Sequence, residues 1–305
     1  MNGIPLTQLG YLGPEGSHSS RAAKTLMAFL GLANVTLTPF PSLPQLMAAV
    51  ETEAIPYAVL PYENALEGSV VEVLETLGRQ KRLLYPLGEM LLPVRHCLIQ
   101  KTPGPVEKIL SIPIAYAQCR ETLSRLYGWE PRLEATPSTS EAVYRLAGLE
   151  DATGWAAIGT ASAAQANGLA IVHDNISDAP DNLTRFLLVS AKPEPPVNLA
   201  TFDWSAYPQK TSICVSLVER IGVLADFLTI FKAHGVNLTK IESRPSRRGY
   251  GEYLFHMDME GDIDTASGGV LRQELLRHTV EYYQLGPYPV LGRLEFQEMD
   301  VARFS

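Results

Sequence analysis

Asn182-Leu183-Thr184-Arg185-Phe186 sets a hydroxyl and a guanidinium where a polar triplet runs into the apolar residues Leu187 to Val189. Such a run suits a strand covered on both faces, and in open α/β sheets ligands collect at strand ends. A second cluster, Tyr62-Glu63-Asn64-Ala65-Leu66-Glu67-Gly68-Ser69, also follows an apolar strand pattern. Asn64 can both donate and accept hydrogen bonds, whereas Glu63 repels an anionic ligand unless turned away or protonated. Gly13-Pro14-Glu15-Gly16-Ser17 turns the chain into a helix capped by Ser17, and Gly68-Ser69 opens another. Helix starts of this kind present free backbone amides and the positive end of a dipole, a setting for carboxylate or phosphate. Plainer readings exist for each residue: Thr184 satisfying a loop, Arg185 reaching solvent, Asn64 forming a turn.

Composition removes several other chemistries. The glycines at 10, 13 and 16 do not form the dinucleotide fingerprint, and no phosphate-loop Gly-Lys-Ser/Thr occurs, so no nucleotide cofactor is expected. Cys97, Cys119 and Cys214 are odd in number and far apart, which indicates buried thiols in a reducing compartment and neither a disulfide framework nor a metal site. A net charge of −8 with scattered Lys and Arg argues against nucleic acid. No apolar run is long enough for a bilayer, and residues 1 to 10 lack a basic region followed by an apolar one. A cytoplasmic location is expected, without membrane association and without use of the Asn182-Leu183-Thr184 glycosylation pattern.

The elements that must position these residues follow from periodicity. Strand patterns at 8–12, 35–40 and 57–61 alternate with helical ones, as in a parallel sheet. An extended apolar stretch from Leu83 to Gln100 carries the chain into a second lobe, placed roughly at 83–168. There helical patterns at 106–110, 118–127 and 138–146 alternate with strand patterns at 112–116 and 132–135. Ser138 and Glu141 have capping-box spacing, and Thr160 opens a further helix. Together residues 1–190 form a two-lobed α/β region with a cleft between the lobes. Pro193, Pro195 and Pro196 mark a linker at 191–209. Beyond it, residues 210–287 read strand-helix-strand-strand-helix-strand, the ferredoxin-like α+β unit, with the second helix at 266–282 and an extended C-terminal segment from 288 to 305. Open edge strands in such units commonly pair across subunits, so a homodimer or homotetramer is expected.

The chain resembles prephenate dehydratases that carry a C-terminal ACT regulatory domain. The resemblance rests on Gly13-Pro14-Glu15-Gly16-Ser17, Glu63-Asn64, Glu67-Gly68-Ser69-Val70, Gln118-Cys119, Ser138-Thr139, Thr184-Arg185-Phe186, Gly222-Val223-Leu224, and Asn237-Leu238 leading to Glu242-Ser243-Arg244-Pro245. It implies a catalytic region like a type II periplasmic binding protein, acting without a cofactor. It implies catalytic roles for Thr184, Asn64, Gln118 and Ser111. Substrate contacts are implied at Ser17, Glu63, Ser69, Ser138, Thr139, Thr160, Arg185 and Phe186, with helix starts holding the carboxylates. Phenylalanine is implied as an allosteric effector at Gly222, Val223, Leu224, Asn237, Leu238, Glu242, Ser243, Arg244 and Pro245. Arogenate is an alternative substrate, and a non-catalytic small-anion sensor an alternative function. Departures occur at Ala65, where the family has Ser or Thr, and at Ile112, where it has His. Because every candidate catalytic residue precedes the linker, the first 190 residues are expected to work alone.

Overall fold

The computed structural model describes residues 4–78, 84–246 and 252–294. In chain order the first lobe opens with β1 (Gln8–Leu12), α1 (His18–Phe29), β2 (Thr36–Phe40), α2 (Leu43–Glu51), β3 (Tyr57–Asn64), the short β4 (Gly68–Ser69), α3 (Val71–Leu77) and β5 (Tyr85–Pro93). Ser17 and Ser42 cap α1 and α2 with side-chain acceptors, which fixes where each helix starts. The second lobe holds β6 (Cys97–Gln100), β7 (Lys108–Ser111), α4 (Pro113–Ala117), α5 (Arg120–Tyr127), β8 (Arg132–Ala135), α6 (Thr139–Gly148), β9 (Trp155–Gly159), α7 (Ala161–Ala166) and β10 (Ala170–His173). The chain then returns as β11 (Leu183–Ser190), antiparallel to both β3 and β5.

Second-lobe strands lie in the order β10-β6-β9-β7-β8. β5, expected in that lobe, instead pairs with β11 in the first-lobe sheet, and the second sheet reaches to β10 beyond the expected limit of 168. Residues 108–111 are a strand and 113–117 a helix, the reverse of the order read at 106–116. Pro113 sits in the first turn of α4, where a missing N–H costs nothing, and a buried apolar run as short as Ile109-Leu110 has no diagnostic period.

After β11 come β12 (Gln209–Leu217), α8 (Val223–Ala233), β13 (Leu238–Pro245), β14 (Tyr253–Glu260), α9 (Ala266–His278) and β15 (Thr279–Arg293). The order β13-β14-β12-β15 is the ferredoxin-like sheet, with Phe227, Phe231 and Leu275 of the two helices packed on Ile213 and Met257. The second helix ends at His278, short of the expected 282, and the next strand runs through the position of the expected C-terminal segment. β15 pairs in parallel with β5, joining Val290 to Glu89 and Arg293 to Leu91. One sheet therefore runs β13-β14-β12-β15-β5-β11-β3-β1-β2 across the linker boundary. The linker itself packs on the first lobe: Phe202 and Tyr207 stack at 5.6 Å, both meet Phe29 of α1 edge-on, and Asn198 bonds the backbone of Leu6 through both its amide atoms.

Candidate active site

Thr184 and Asn64 are paired directly across the β11–β3 ladder where the first-lobe sheet meets the lobe crossover. Asn64 Nδ2 donates to Thr184 Oγ1 at 2.9 Å and to Asn182 Oδ1 at 2.8 Å. Its Oδ1 accepts from the backbone amides of Leu66 and Glu67, an Asx-type turn that fixes the loop after β3. The amide orientation is thus set from both ends. Thr184 is buried, accepts from Asn64, and donates to no protein acceptor among the described residues. A hydroxyl held by its oxygen keeps its proton for a ligand.

Two contacts close the second lobe onto this point. Gln118, between α4 and α5, donates through Nε2 to the Glu67 carboxylate at 2.8 Å, and its Oε1 lies 3.0 Å from His96 Nε2. Thr160, capping α7, donates to Gly16 O at 2.7 Å, and a Cβ added at Gly16 would stand 3.2 Å from Ala163, so only a glycine lets the first-lobe turn approach this closely. His18, at the start of α1, meets His96 edge to face at 5.6 Å. Burial, His96 and Arg21 hold the His18 pKa down at about 3, and burial lowers that of His96 despite its bond to Gln118, so both imidazoles are neutral at neutral pH. A cavity of about 320 Å³ opens between the lobes beside Thr160, lined by Arg21, Lys24 and Arg95 with Asp174. Glu67 lies in a stretch that carries the family resemblance but has no role implied by it, and neither His96 nor these cations stood out in the sequence.

The other expected site residues divide. Ser17, Ser138 and Thr160 are helix caps, accepting from Ser20, Glu141 and Ala163 amides respectively. Thr139 begins the helix that Ser138 caps, and Ser111 is fully buried at the end of β7, donating to Ile112 O. Phe186 belongs to the first-lobe core with Tyr11 and Met90. Adjacent residues of a strand face opposite sides, so Arg185 points away from the face that carries Thr184. Its guanidinium meets Glu63 at 2.5 Å, Glu89 at 2.6 Å and Asp258 of β14 at 2.8 Å. Lys210 of β12 completes the pairing of Glu89, and Lys240 of β13 reaches Glu63, Ser69 and Glu242. Glu242 accepts a short hydrogen bond from Ser69. Glu63, Arg185 and Ser69 are therefore committed to a network that joins the catalytic lobe to the C-terminal domain, and the structure does not bring them to the Thr184 face.

Charges in that network support one another. Burial opposes ionisation of Glu63, but hydrogen bonds from Lys240 and Arg185 outweigh it and keep its pKa below the ordinary value; Glu242 is lowered in the same way by Ser69 and Lys240. Burial alone would weaken the Arg185 charge, and the carboxylates of Asp258 and Glu89 reverse this.

Of the expected effector residues, Glu242 and Arg244 alternate toward the catalytic lobe with Lys240, while Ser243 and Pro245 face outward with Ile241 along the exposed β13. Gly222 has a left-handed φ of 78° at the start of α8, and Val223 N is taken by Arg220 O. Asp226 in the first turn of α8 pairs with Arg220 at 2.6 Å. Asn237 accepts from the Glu260 amide through its backbone carbonyl, and Leu238 starts β13 packed against the domain core. Glu242 is thus a contact between domains of one chain as well as a strand residue near Gly222's end of the sheet.

The prephenate dehydratase family model matches residues 9–194, and the ACT domain model residues 211–267. An arogenate dehydratase/prephenate dehydratase of Arabidopsis thaliana is 35% identical over 93% of this chain and 73% of its own length. Prephenate dehydratase from Arthrobacter aurescens, solved with L-Phe, is 28% identical with a TM-score of 0.79, covering 92% of this chain and 90% of that one. GqqA, described as a novel type of quorum quenching acylase, is 26% identical with a TM-score of 0.77, covering 93% and 98%. With more than half of the chain spanned by the first model and the second falling on the ferredoxin-like unit, this protein belongs to the prephenate dehydratase family and carries a C-terminal ACT domain.

Proposed function

We propose that this enzyme converts prephenate to phenylpyruvate, and that phenylalanine bound at the ACT domain inhibits it. Prephenate is a dianion whose ring is one step from aromaticity. The bond to its ring carboxylate breaks, the electron pair enters the ring, carbon dioxide leaves, and the ring hydroxyl departs from the opposite carbon with a proton to become water. Only the departing oxygen needs help, and no cofactor is required. Thr184 Oγ–H supplies that help by hydrogen bonding to the leaving oxygen, an effect worth roughly 100- to 1000-fold for one preorganised donor. The observation that carries this reading is the bond from Asn64 to Thr184 Oγ1, which leaves the threonine proton as the available donor. The cations Arg21, Lys24 and Arg95 line the cavity beside Thr160, which Thr184 and Asn64 do not line, and raise the local potential for an anion approaching the cleft. The caps at Ser17, Ser138 and Thr160 and the amide of Gln118 orient the substrate in this reading.

Arogenate differs from prephenate in its side chain, remote from the leaving hydroxyl, and is the second candidate, favoured by the name of the Arabidopsis relative. The deciding assay offers the purified protein prephenate, arogenate and an N-acyl homoserine lactone. Phenylpyruvate formed faster from prephenate than phenylalanine from arogenate supports the proposal, and turnover of the lactone alone would overturn it. For regulation, the first-turn amides of α8 beyond Val223, whose own N–H bonds Arg220 O, receive the effector carboxylate and Asn237 or a backbone carbonyl its ammonium. Ile221, next to Gly222, and Ile241 of β13 are both exposed, which fits a pocket completed by a second subunit in a dimer or tetramer. Calorimetry with phenylalanine, with and without a substrate analogue, tests this, since coupling between two sites must be reciprocal. The three cysteines are free thiols, in keeping with a cytoplasmic enzyme.

A further inference from the structure

We infer that Glu67 is a positioning residue that latches the two lobes together over Thr184, acting through the Gln118 amide that it shares with His96. Glu67 lies on the loop between β3 and β4. Its backbone N–H donates to Asn64 Oδ1 at 3.1 Å, so the loop is anchored to the residue that holds Thr184. Its carboxylate accepts from Gln118 Nε2 at 2.8 Å. An amide that donates to a carboxylate on one side presents its oxygen on the other, and there His96 Nε2 stands at 3.0 Å. His96 therefore carries its proton on Nε2, and Nδ1 has no hydrogen-bond partner among the described residues. His96 is buried in the segment that crosses between lobes. The result is one line of donors, His96 to Gln118 to Glu67, that starts at the crossover, passes through the second lobe and ends on the first.

Glu67 differs in kind from Thr160, the other contact described between the lobes. Thr160 meets a backbone carbonyl, whereas Glu67 offers a side-chain carboxylate oxygen to a rotatable amide, a contact that opening of the lobes must break. Gln118 with its NH2 turned to Glu67 also has its orientation set before substrate arrives. Because the contact favours only the closed arrangement, its loss lowers the closed population, and substrate must make up the difference on binding. The expected signature is a raised KM with kcat nearly kept. A group that touched the reacting atoms would lower kcat instead.

The kinetic part of this inference rests on the dehydratase reading, and the structural part does not. Spin labels at Glu72→Cys on α3 and Tyr144→Cys on α6, both exposed, report the lobe separation while the native cysteines remain buried. In Glu67→Ala the distance distribution is expected to broaden to longer values, with Glu67→Gln close to wild type because its Oε1 still accepts. With prephenate, Glu67→Ala is expected to raise KM roughly three- to tenfold and change kcat less than about twofold. Gln118→Glu sets two carboxylates face to face and should open the lobes further. Adding Glu67→Gln to it restores a donor–acceptor pair in the reverse sense and should recover the short distance. Unchanged distributions in Glu67→Ala, or no recovery in the swapped pair, would overturn the latch. A wild-type protein inactive on prephenate and arogenate would sink the dehydratase reading and leave the distance measurement to decide this one.

Discussion

Asn64 Nδ2 stands 2.9 Å from Thr184 Oγ1, from the position directly opposite it on the neighbouring strand. A ladder position cannot drift without breaking strand pairing, so the hydroxyl is held by the most rigid part of the lobe. Thr184→Ala is expected to lose two to three orders of magnitude in kcat with the fold intact, and Thr184→Ser to keep part of the activity. Asn64→Asp is the sharper test. Its carboxylate would accept the Thr184 proton instead of donating to the oxygen, turning the donor away from substrate, so kcat should fall far more than KM rises. Equal kcat in Asn64→Asp and wild type would remove the threonine proton from the mechanism.

Much of this was legible in the sequence, for physical reasons that also mark where it was not. Capped helix starts and period-two strands are local signals, and Ser17, Ser138, Thr160 and the ferredoxin-like order were readable from them. Arg185 was expected at the substrate with Thr184, although strand alternation sets the two on opposite faces; its three carboxylate partners come from strands far apart in the chain. The pairing of β15 with β5 has no local signature, because periodicity marks a strand and not its partner. The reversal of helix and strand at 106–116 arose from apolar runs too short to carry a period. His96 has ordinary surroundings in sequence, Glu67 belongs to a stretch that marks the family without revealing a partner, and both acquire their roles only when the lobes meet.

Arg185 is expected to matter for stability more than for substrate contact. Replacing it by Met would leave Glu89 and Asp258, each with a side chain 1% exposed, without their shared cation. Breaking a buried pair from one side costs about 3–5 kcal/mol. Arg185→Lys should recover little, since a single ammonium cannot serve three carboxylates in the geometry of a planar fork. Denaturant unfolding measures this directly. A loss below about 1 kcal/mol, the range of exposed pairs, would show that the network is solvated in solution.

Gly78, at the end of α3, closes the seam between the catalytic lobe and the ACT sheet. Its φ of −83° is open to any residue, so the requirement for glycine is steric. A Cβ there would lie 2.5 Å from His256 Cε1 and 3.0 Å from Cys214 Sγ, both in buried side chains. Gly78→Ala should cost about 1–3 kcal/mol, the range for overpacking, and should weaken the response to phenylalanine. Removing the ring in Gly78→Ala/His256→Ala should restore part of the loss. Additive losses in that pair would show that the contact is not what limits the alanine.

His256 also sets an acid limit on the interface. Burial lowers its pKa from 6.5 to about 4, against the opposing pull of Glu242 and Asp258. The unfolded chain binds this proton below pH 6.5 and the folded chain only near pH 4, so stability is full above 6.5, falls between 6.5 and 4, and then levels off for this group. The total is on the order of 3 kcal/mol. Glu63 and Glu242 have folded pKa values lowered from 4.5, so their contribution is present above 4.5 and is lost as pH falls through those lower values. Urea midpoints at pH 7 and 5 should therefore differ, and the difference should shrink in His256→Gln. An unchanged difference would assign the acid sensitivity elsewhere.

Truncation at the linker is expected to do the opposite of what the position of the site residues implies. Every candidate catalytic residue precedes residue 191, which suggested that a chain ending at Lys192 would work alone. The structure ties the catalytic lobe to the linker and the ACT domain. Ending the chain there removes β15 from the edge of β5 and takes Lys210 and Asp258 from the partners of Glu89 and Arg185. It also strips Phe202 and Tyr207 from Phe29, and Leu199, Leu291 and Leu294 from the first-lobe core. An exposed apolar edge strand with a buried carboxylate is a template for association. The fragment is expected to aggregate or to unfold at far lower denaturant than the whole chain, and to lose turnover for that reason. Fragment solubility, unfolding midpoint and kcat should be measured together. A monomeric fragment with near-wild-type kcat and an unshifted midpoint would show that the catalytic lobe is independent of its regulatory domain and that the shared sheet is dispensable.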